Sequence, residues 1–418
     1  MRRTTRTLPH AQSGLSRARH ACRLAVGLLV ASLATVPSSA AAQDTRAELR
    51  AEQQAERAGH VTPYGLNRAE RIIAGLENSA LGVAPTGAYP WVGSIYPTGW
   101  MAFGAGLRSV FADTGSVNVV GGWSLKNFRM AQASVALPEV AHGRVRVQAH
   151  ATWIGAPTVP FHGVGQASEP GDKAFYRYRE ASLGARIEVT PAPWFSMTAA
   201  IDHLDIATDG TGTNDSVELA FDPVRAPALL ADPAYVRSTI SAAIDWRHPP
   251  GYSGTGGLYR VELTDYSQQR DGPYSFRLLE AEIVQLIPVL RANWVLALRG
   301  MVTTTETGGA EAVPYFLMPS LGGSRNVRGY STFRFRDRHR ILWSAEYRWT
   351  PSRFLDMALF YDAGKVTPRR SDLDFSGLSG AYGIGMRVVS LSGTALRVEM
   401  ARSAERALSL IWTSSASF

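Results

Sequence analysis

From Trp91 to Phe418 apolar and polar residues alternate with a period of two, the spacing of strands whose two faces meet different surroundings. Val145, Val147, Ala149, Ala151 and Trp153 are interleaved with Arg146, Gln148, His150 and Thr152. Ala181, Leu183, Ala185, Ile187 and Val189 alternate with Ser182, Gly184, Arg186 and Glu188, and Leu396, Val398 and Met400 with Arg397 and Glu399. A soluble β-sandwich shows the same alternation with its apolar face turned inward. Three features favour a membrane barrel instead. The strands are long. Trp194, Trp246, Trp294, Trp349 and Trp412 lie near strand ends, where amphipathic rings favour the headgroup layers on both sides of a bilayer. Tight turns, expected at residues 190–194, 248–254, 288–293 and 350–353, alternate with long loops at 154–174, 204–235, 305–339 and 365–380. The pattern predicts an all-β fold: a transmembrane antiparallel β-barrel of about 16 strands over residues 89–418. An even count brings the first and last strands together, and closure spares their edge amides from hydrocarbon. The last strand places Leu408, Leu410, Trp412, Ala416 and the terminal Phe418 on one face, with Ser414 interrupting it. Outer-membrane barrels commonly end on such an aromatic C-terminal signal.

The first 42 residues follow another rule. Arg2, Arg3, Arg6, Arg17, Arg19 and Arg23, with no acidic residue, precede an apolar stretch from Leu24 to Val36, and Ala40, Ala41 and Ala42 follow. This is the layout of a secretory signal peptide cleaved after Ala42; the stretch is too short for a helix that needs ~20 residues to cross a bilayer. Cleavage removes six of the positive charges behind the formal +8 and leaves about +2, so the net charge carries no argument for nucleic-acid binding. It also removes Cys22, the single cysteine, and with it thiol, disulfide and Cys-based metal chemistry. Residues 43–88 are rich in Ala, Arg, Glu and Gln and read as two short helices, Arg46 to Arg57 and Leu66 to Glu77, in a periplasmic linker or helical cap.

The long loop after the eleventh predicted strand contains Gly322-Gly323-Ser324-Arg325-Asn326-Val327-Arg328-Gly329-Tyr330. Parity in the next two strands puts Ile341, Trp343, Ala345, Tyr347 and Trp349 toward lipid and Ser344, Glu346 and Arg348 inside. It then puts Leu355, Met357, Leu359 and Tyr361 toward lipid and Asp356, Phe360, Asp362 and Gly364 inside. Val327-Arg328-Gly329-Tyr330 resembles the sixth-loop motif of the BamA/TamA superfamily, the bacterial surface-antigen family. Phe360-Tyr361-Asp362-Ala363-Gly364 resembles its Phe-x-Asp-x-Gly strand motif, and Ser344-Ala345-Glu346-Tyr347 its acidic strand motif. The resemblance is strongest from about Phe316 to Phe418, although Phe161-His162-Gly163-Val164-Gly165 is also similar to a family loop. It implies that the loop folds back into the barrel and that Arg328 lies against Asp362 and Glu346 as a latch, through charge-assisted hydrogen bonds that a desolvated lumen strengthens. The bland alternative is a solvated arginine in a basic stretch that also holds Arg334, Arg336, Arg338 and Arg340. Members of the family carry POTRA modules of ~70–80 residues by that resemblance; residues 43–88 are too few for one, so the chain resembles a barrel-only member.

Enzymatic chemistry is not expected. Gly251-Tyr252-Ser253-Gly254-Thr255 fails the Gly-x-Ser-x-Gly elbow at its last position, the histidines are scattered, and Gly104-Ala105-Gly106 reads as relief of crowding in the wall rather than a dinucleotide loop. His150 and His203 read as lumen or strand-end residues. No cofactor or metal is expected. The resemblance implies an outer-membrane location, contact with outer-membrane lipids, and assistance in inserting or translocating outer-membrane or surface proteins. Unfolded clients and a POTRA-bearing or periplasmic partner are then the expected partners. The rival reading is a loop-plugged pore for solute or lipid, or a structural anchor or surface antigen.

Overall fold

In the computed structural model the described residues are 86–247, 254–270, 272–289, 291–352, 355–390 and 393–413. The expected signal peptide, the helices expected within residues 43–88, most of the 248–254 turn and the terminal Phe418 lie outside them. The barrel begins at Gly87, two residues before the expected boundary. Sixteen strands follow: β1 (Gly87–Gly93), β2 (Ala102–Phe111), β3 (Gly115–Ser124), β4 (Arg129–Ala136), β5 (Val145–Phe161), β6 (Ala174–Ala192), β7 (Phe195–Gly210), β8 (Ala234–Asp245), β9 (Gly256–Gln268), β10 (Phe276–Val289), β11 (Arg291–Glu306), β12 (His339–Ser352), β13 (Leu355–Thr367), β14 (Ser379–Ser390), β15 (Gly393–Ser403) and β16 (Ser409–Thr413). They form one antiparallel sheet in chain order. Among the described residues no helix is long and apolar enough to cross a membrane.

The sheet is rolled into a barrel. Gln166, five residues beyond the end of β5, donates to Ser379 Oγ of β14 at 2.6 Å and accepts from the Val366 amide of β13 at 2.9 Å. In a flat sheet eight strand spacings of ~4.8 Å would hold these strands roughly 40 Å apart, beyond the reach of five residues.

The two faces have surroundings opposite to those of a sandwich. The apolar alternating set is the exposed one, with Leu183 at 64% and Met400 at 47%, whereas Arg397 and Glu399 are at most 1% exposed. An apolar outer wall around a charged interior is the arrangement lipid demands.

Connections at one end are short, residues 112–114 and 193–194 among them; those at the other include 162–173, 211–233, 307–338 and 368–378. Two long loops start later than the sequence suggests, because β5 continues to Phe161 and β7 to Gly210. Alternation fails there for a physical reason: the long loops turn inward and cover these strand ends. Phe161, Tyr176, Leu204 and Ile206 are buried against Val217, Phe221, Tyr315 and Phe316 of the loops. Backbone bonds tie the loops together, with Gly165 N to Arg336 O at 2.7 Å, Tyr315 N to Pro227 O at 3.0 Å and Ala312 N to Pro273 O at 2.7 Å. At the short-turn end β10 and β11 run almost into one another, shortening the turn expected at 288–293.

The tryptophans are distributed less evenly than expected. Trp194, Trp246, Trp294 and Trp349 all belong to the short-turn end, and Trp294 pairs directly with Trp349 across β11 and β12. The girdle at the long-loop end is built by Trp100 and Trp123, both 57% exposed. Trp412 stands on the outer face of β16 opposite Val398, 54% exposed. The Gly104 and Gly106 positions are close approaches: an added Cβ would lie 1.9 Å from the Gly121 carbonyl oxygen and 2.2 Å from the Tyr89 ring respectively.

Candidate functional site: the latched sixth loop

Loop 6, residues 307–338, folds into a hairpin in which Ser320–Leu321 pairs with Phe335–Arg336. Gly322 and Gly323 take φ of +101° and +97° to turn the tip, and a Cβ on Gly322 would sit 2.0 Å from the Ser331 carbonyl oxygen, so only glycine fits. Val327, Leu321, Tyr330 and Phe335 are buried with Met301, Leu342, Val366 and Ala381 of the wall. Gly329, at φ +93°, brings its backbone against β14 and β15, where its carbonyl accepts from Ser403 Oγ at 3.1 Å.

This packing presents Arg328 to the lumen wall at 2% exposure. Its Nε and Nη2 donate to the two oxygens of Asp362 at 2.7 and 2.8 Å, a bidentate fork, and its backbone amide donates to Asp362 Oδ2 at 3.1 Å. Nη1 donates to Glu346 Oε1 at 2.6 Å and to Glu399 Oε1 at 3.0 Å. The guanidinium plane lies over Phe360, 3.6 Å from its centroid. Burial opposes the Arg328 charge, but Glu346, Asp362 and Glu399 reverse that effect and raise its affinity for the proton.

The carboxylates are themselves held. Glu346 Oε2 accepts from Arg348 Nε and Arg387 Nη2, both at 2.7 Å. Glu399 lies 3.7 Å from both Arg387 Nη2 and Arg397 Nε. Four guanidiniums and three carboxylates thus share one buried network across β12 to β15 and the loop. Other arginines grip the loop through its carbonyls. Arg299 Nη1 donates to Arg325 O at 2.7 Å, Arg397 Nη2 to Ser324 O at 2.7 Å and Arg340 Nη1 to Ser320 O at 2.8 Å.

The structure brings Arg328, Glu346 and Asp362 together; Phe360 is the platform under the guanidinium. Gly364 seats the loop: a Cβ there would lie 2.7 Å from the Ile341 carbonyl oxygen and 3.0 Å from Leu321 Cδ1. Gly364→Val is therefore expected to lift the Leu321 end of the hairpin, seen as faster proteolysis within residues 307–338 while the barrel still resists heat in SDS. Unchanged proteolysis would show that the wall has room for the side chain. Of the four other arginines of the basic stretch, Arg334 and Arg336 are 2% exposed rather than solvated, and Arg338 and Arg340 are also bonded. Arg334 spans from Glu405 Oε2 at 2.9 Å to Ser168 Oγ at 2.8 Å, while Arg336 Nη1 donates to Tyr315 O at 3.0 Å. His162, beside this tie, is lowered to about 4, first by burial and then by Arg334, and so stays neutral at neutral pH.

Glu399, Arg348, Arg387 and Arg397 enter the network without having been singled out by any motif. Their signal was inward parity combined with charge. Gly383 was equally silent: a Cβ there would strike the Phe360 ring at 2.5 Å. His150 faces the lumen on the opposite wall and meets Asp202 at 3.0 Å, and Asp202 also accepts from Arg237 at 2.8 Å. His203 lies outside that cluster, exposed and 3.1 Å from Asp205. Among the described residues no group of His, Cys, Asp or Glu is arranged to hold a metal.

Residues 253–401, which contain loop 6 and all three carboxylates of the network, match the Omp85 superfamily domain. This part of the chain carries an Omp85 superfamily domain. No curated protein matches it by sequence. Among solved structures the barrel is similar to BamA from Haemophilus ducreyi lacking POTRA domains 1–3, with a TM-score of 0.59 and 12% identity over 78% of this chain and 69% of that one. It is also similar to CdiB from Escherichia coli, with a TM-score of 0.54 and 13% identity over 79% of this chain and 63% of that one, so it spans under two thirds of the length of CdiB. At such identities the likeness shows the fold alone. Among the described residues nothing lies outside the strands and their connections that would form a POTRA module.

Proposed function

We propose that this barrel sits in the outer membrane and assists the insertion or translocation of outer-membrane or surface proteins, with loop 6 as the element that sets its working state. The observation that carries this reading is the burial of Arg328 in a three-carboxylate socket within an Omp85 superfamily domain. A passive pore has no need to hold a 32-residue loop in its lumen by a fully desolvated charge network, which costs more to assemble than an apolar contact of equal size. Such networks are best suited to fixing one register, and removing a partner releases it. Unfolded client chains, outer-membrane lipids and a periplasmic POTRA-bearing protein are the partners this function calls for; the chemistry requires no cofactor and no catalytic residue.

Depleting the protein and quantifying the outer-membrane proteome, with transcripts followed in parallel, tests this. Selective loss of other barrels or surface proteins at constant transcript is the expected result. An unchanged inventory would assign the barrel to transport or anchoring.

A further inference from the structure

A second constructed feature lies on the outside of the barrel at the long-loop end. Phe103, Trp123 and Arg129 form one cross-strand row on the outer face of β2, β3 and β4. Leu107 and Val119 pair in a row nearer the middle and are 58% and 48% exposed. An arginine on the lipid face is costly at the bilayer midplane and tolerated only near the interface, so Arg129 marks the headgroup level of the leaflet on the long-loop side.

Around it the surface is ordered. The Arg129 guanidinium stacks 4.6 Å from the Trp123 ring, and Lys126 Nζ lies 4.9 Å from the Trp100 ring. Trp100 and Trp123 are both 57% exposed and Leu125 is 72% exposed. The turn that presents them is fixed from beneath. Ser124 Oγ accepts the amides of Lys126 and Phe128 at 3.2 and 3.0 Å, and Phe128 is fully buried in the aromatic cluster of the lumen. Asn127 and Trp100 hold positive φ of 65° and 62°, a cost for non-glycine residues that the surrounding bonds must offset. Asn127 Oδ1 accepts from Arg129 Nε and Nη2 at 3.3 and 3.2 Å, orienting the guanidinium. Among the described residues neither Lys126 nor Arg129 meets a carboxylate, whereas the lumen arginines of the latch all do.

We propose that Lys126 and Arg129, braced by Trp100 and Trp123, form a binding site for the phosphorylated headgroup of an anionic lipid in the outer-facing leaflet. The charges complement phosphate, the indoles lie at the headgroup level, Leu107 and Val119 lie below them against the upper acyl chains, and the rigid turn spares the site part of the entropy of ordering on binding. The site abuts β1 through β2 and β3, so a bound lipid would lie close to the first strand of the sheet.

The test uses the full chain in neutral detergent, titrated with lipid A and with lipid A stripped of its phosphates, and reads bound lipid by native mass spectrometry. Lipid A is expected to bind, the phosphate-free form to bind at least about tenfold more weakly, and the double variant K126Q/R129Q to lose about thirtyfold for lipid A. Lys126→Arg should keep most of the affinity, and millimolar inorganic phosphate should not displace the lipid. Both altered side chains are on the surface, so heat-modifiable migration in SDS serves as the folding control. Equal affinity of the double variant, equal affinity for the two lipids, or displacement by inorganic phosphate would each overturn the proposal.

Discussion

Arg328→Ala is expected to release loop 6 from the lumen wall. The substitution removes the four hydrogen bonds donated by the side chain and leaves Asp362 and Glu399 buried beside fewer cations, while Phe360 loses the plane it supports. Removing one partner of a buried charge pair costs about 3–5 kcal/mol, which far exceeds the ~1 kcal/mol of a surface pair. The barrel itself should survive, since its sixteen-stranded ladder does not pass through Arg328. The readout is thiol labelling of a cysteine placed at Ser324, whose carbonyl is tied to Arg397 in the latched loop. Ser324 is half-buried in the latched loop, so labelling should rise from slow to the rate of a fully exposed control. Arg328→Lys keeps the charge but neither the fork to Asp362 nor the flat stack on Phe360, so its labelling should fall between the two.

Glu346→Gln is expected to be as damaging by the opposite route. Glu346 is fully buried and accepts from Arg328, Arg348 and Arg387 at once. An amide of nearly the same shape keeps the packing, offers one acceptor oxygen where there were two, and sets an NH2 group against guanidinium donors. With four guanidiniums then facing two carboxylates, the net positive charge in a desolvated site rises, at a cost of about 3–5 kcal/mol. Because β12 belongs to the wall, the loss should reach the barrel, lowering the temperature at which the folded form disappears in SDS. A second substitution, Arg387→Gln, removes one of the surplus cations and should recover part of that loss. A variant as heat-resistant as the native chain would show that the three arginines do not depend on the carboxylate.

Much of this was legible in the residues themselves, and the parts that were not share a cause. Parity along β12 and β13 placed Glu346 and Asp362 inward because strand side chains alternate without exception once the register is fixed. The sixteen strands followed from the same alternation. Where loops fold back into the lumen, at Val159 and Phe161 of β5 and at Leu204 and Ile206 of β7, the inward face meets apolar loop residues instead of a polar lumen, so inward positions there are apolar and the strand ends looked like loop. The tryptophans showed an interface, but which interface depended on the direction of each strand. Glu399 was placed on the polar face, yet its meeting with Arg328 spans 71 residues and depends on how the barrel curves. The glycines were the least legible of all. Gly364 and Gly383 are needed for what approaches them, Leu321 in one case and the Phe360 ring in the other, and a sequence names the glycine without naming its neighbour.

If the latch governs the activity, one reconstitution reads both together. Vesicles bearing the native chain or Arg328→Ala are mixed with an unfolded outer-membrane barrel protein, and folding of that client into the bilayer is followed beside thiol labelling of loop 6. The native barrel is expected to speed insertion, and Arg328→Ala to bring the rate back to that of empty vesicles while the loop becomes fully labelled. Insertion at the native rate with the loop released would contradict it.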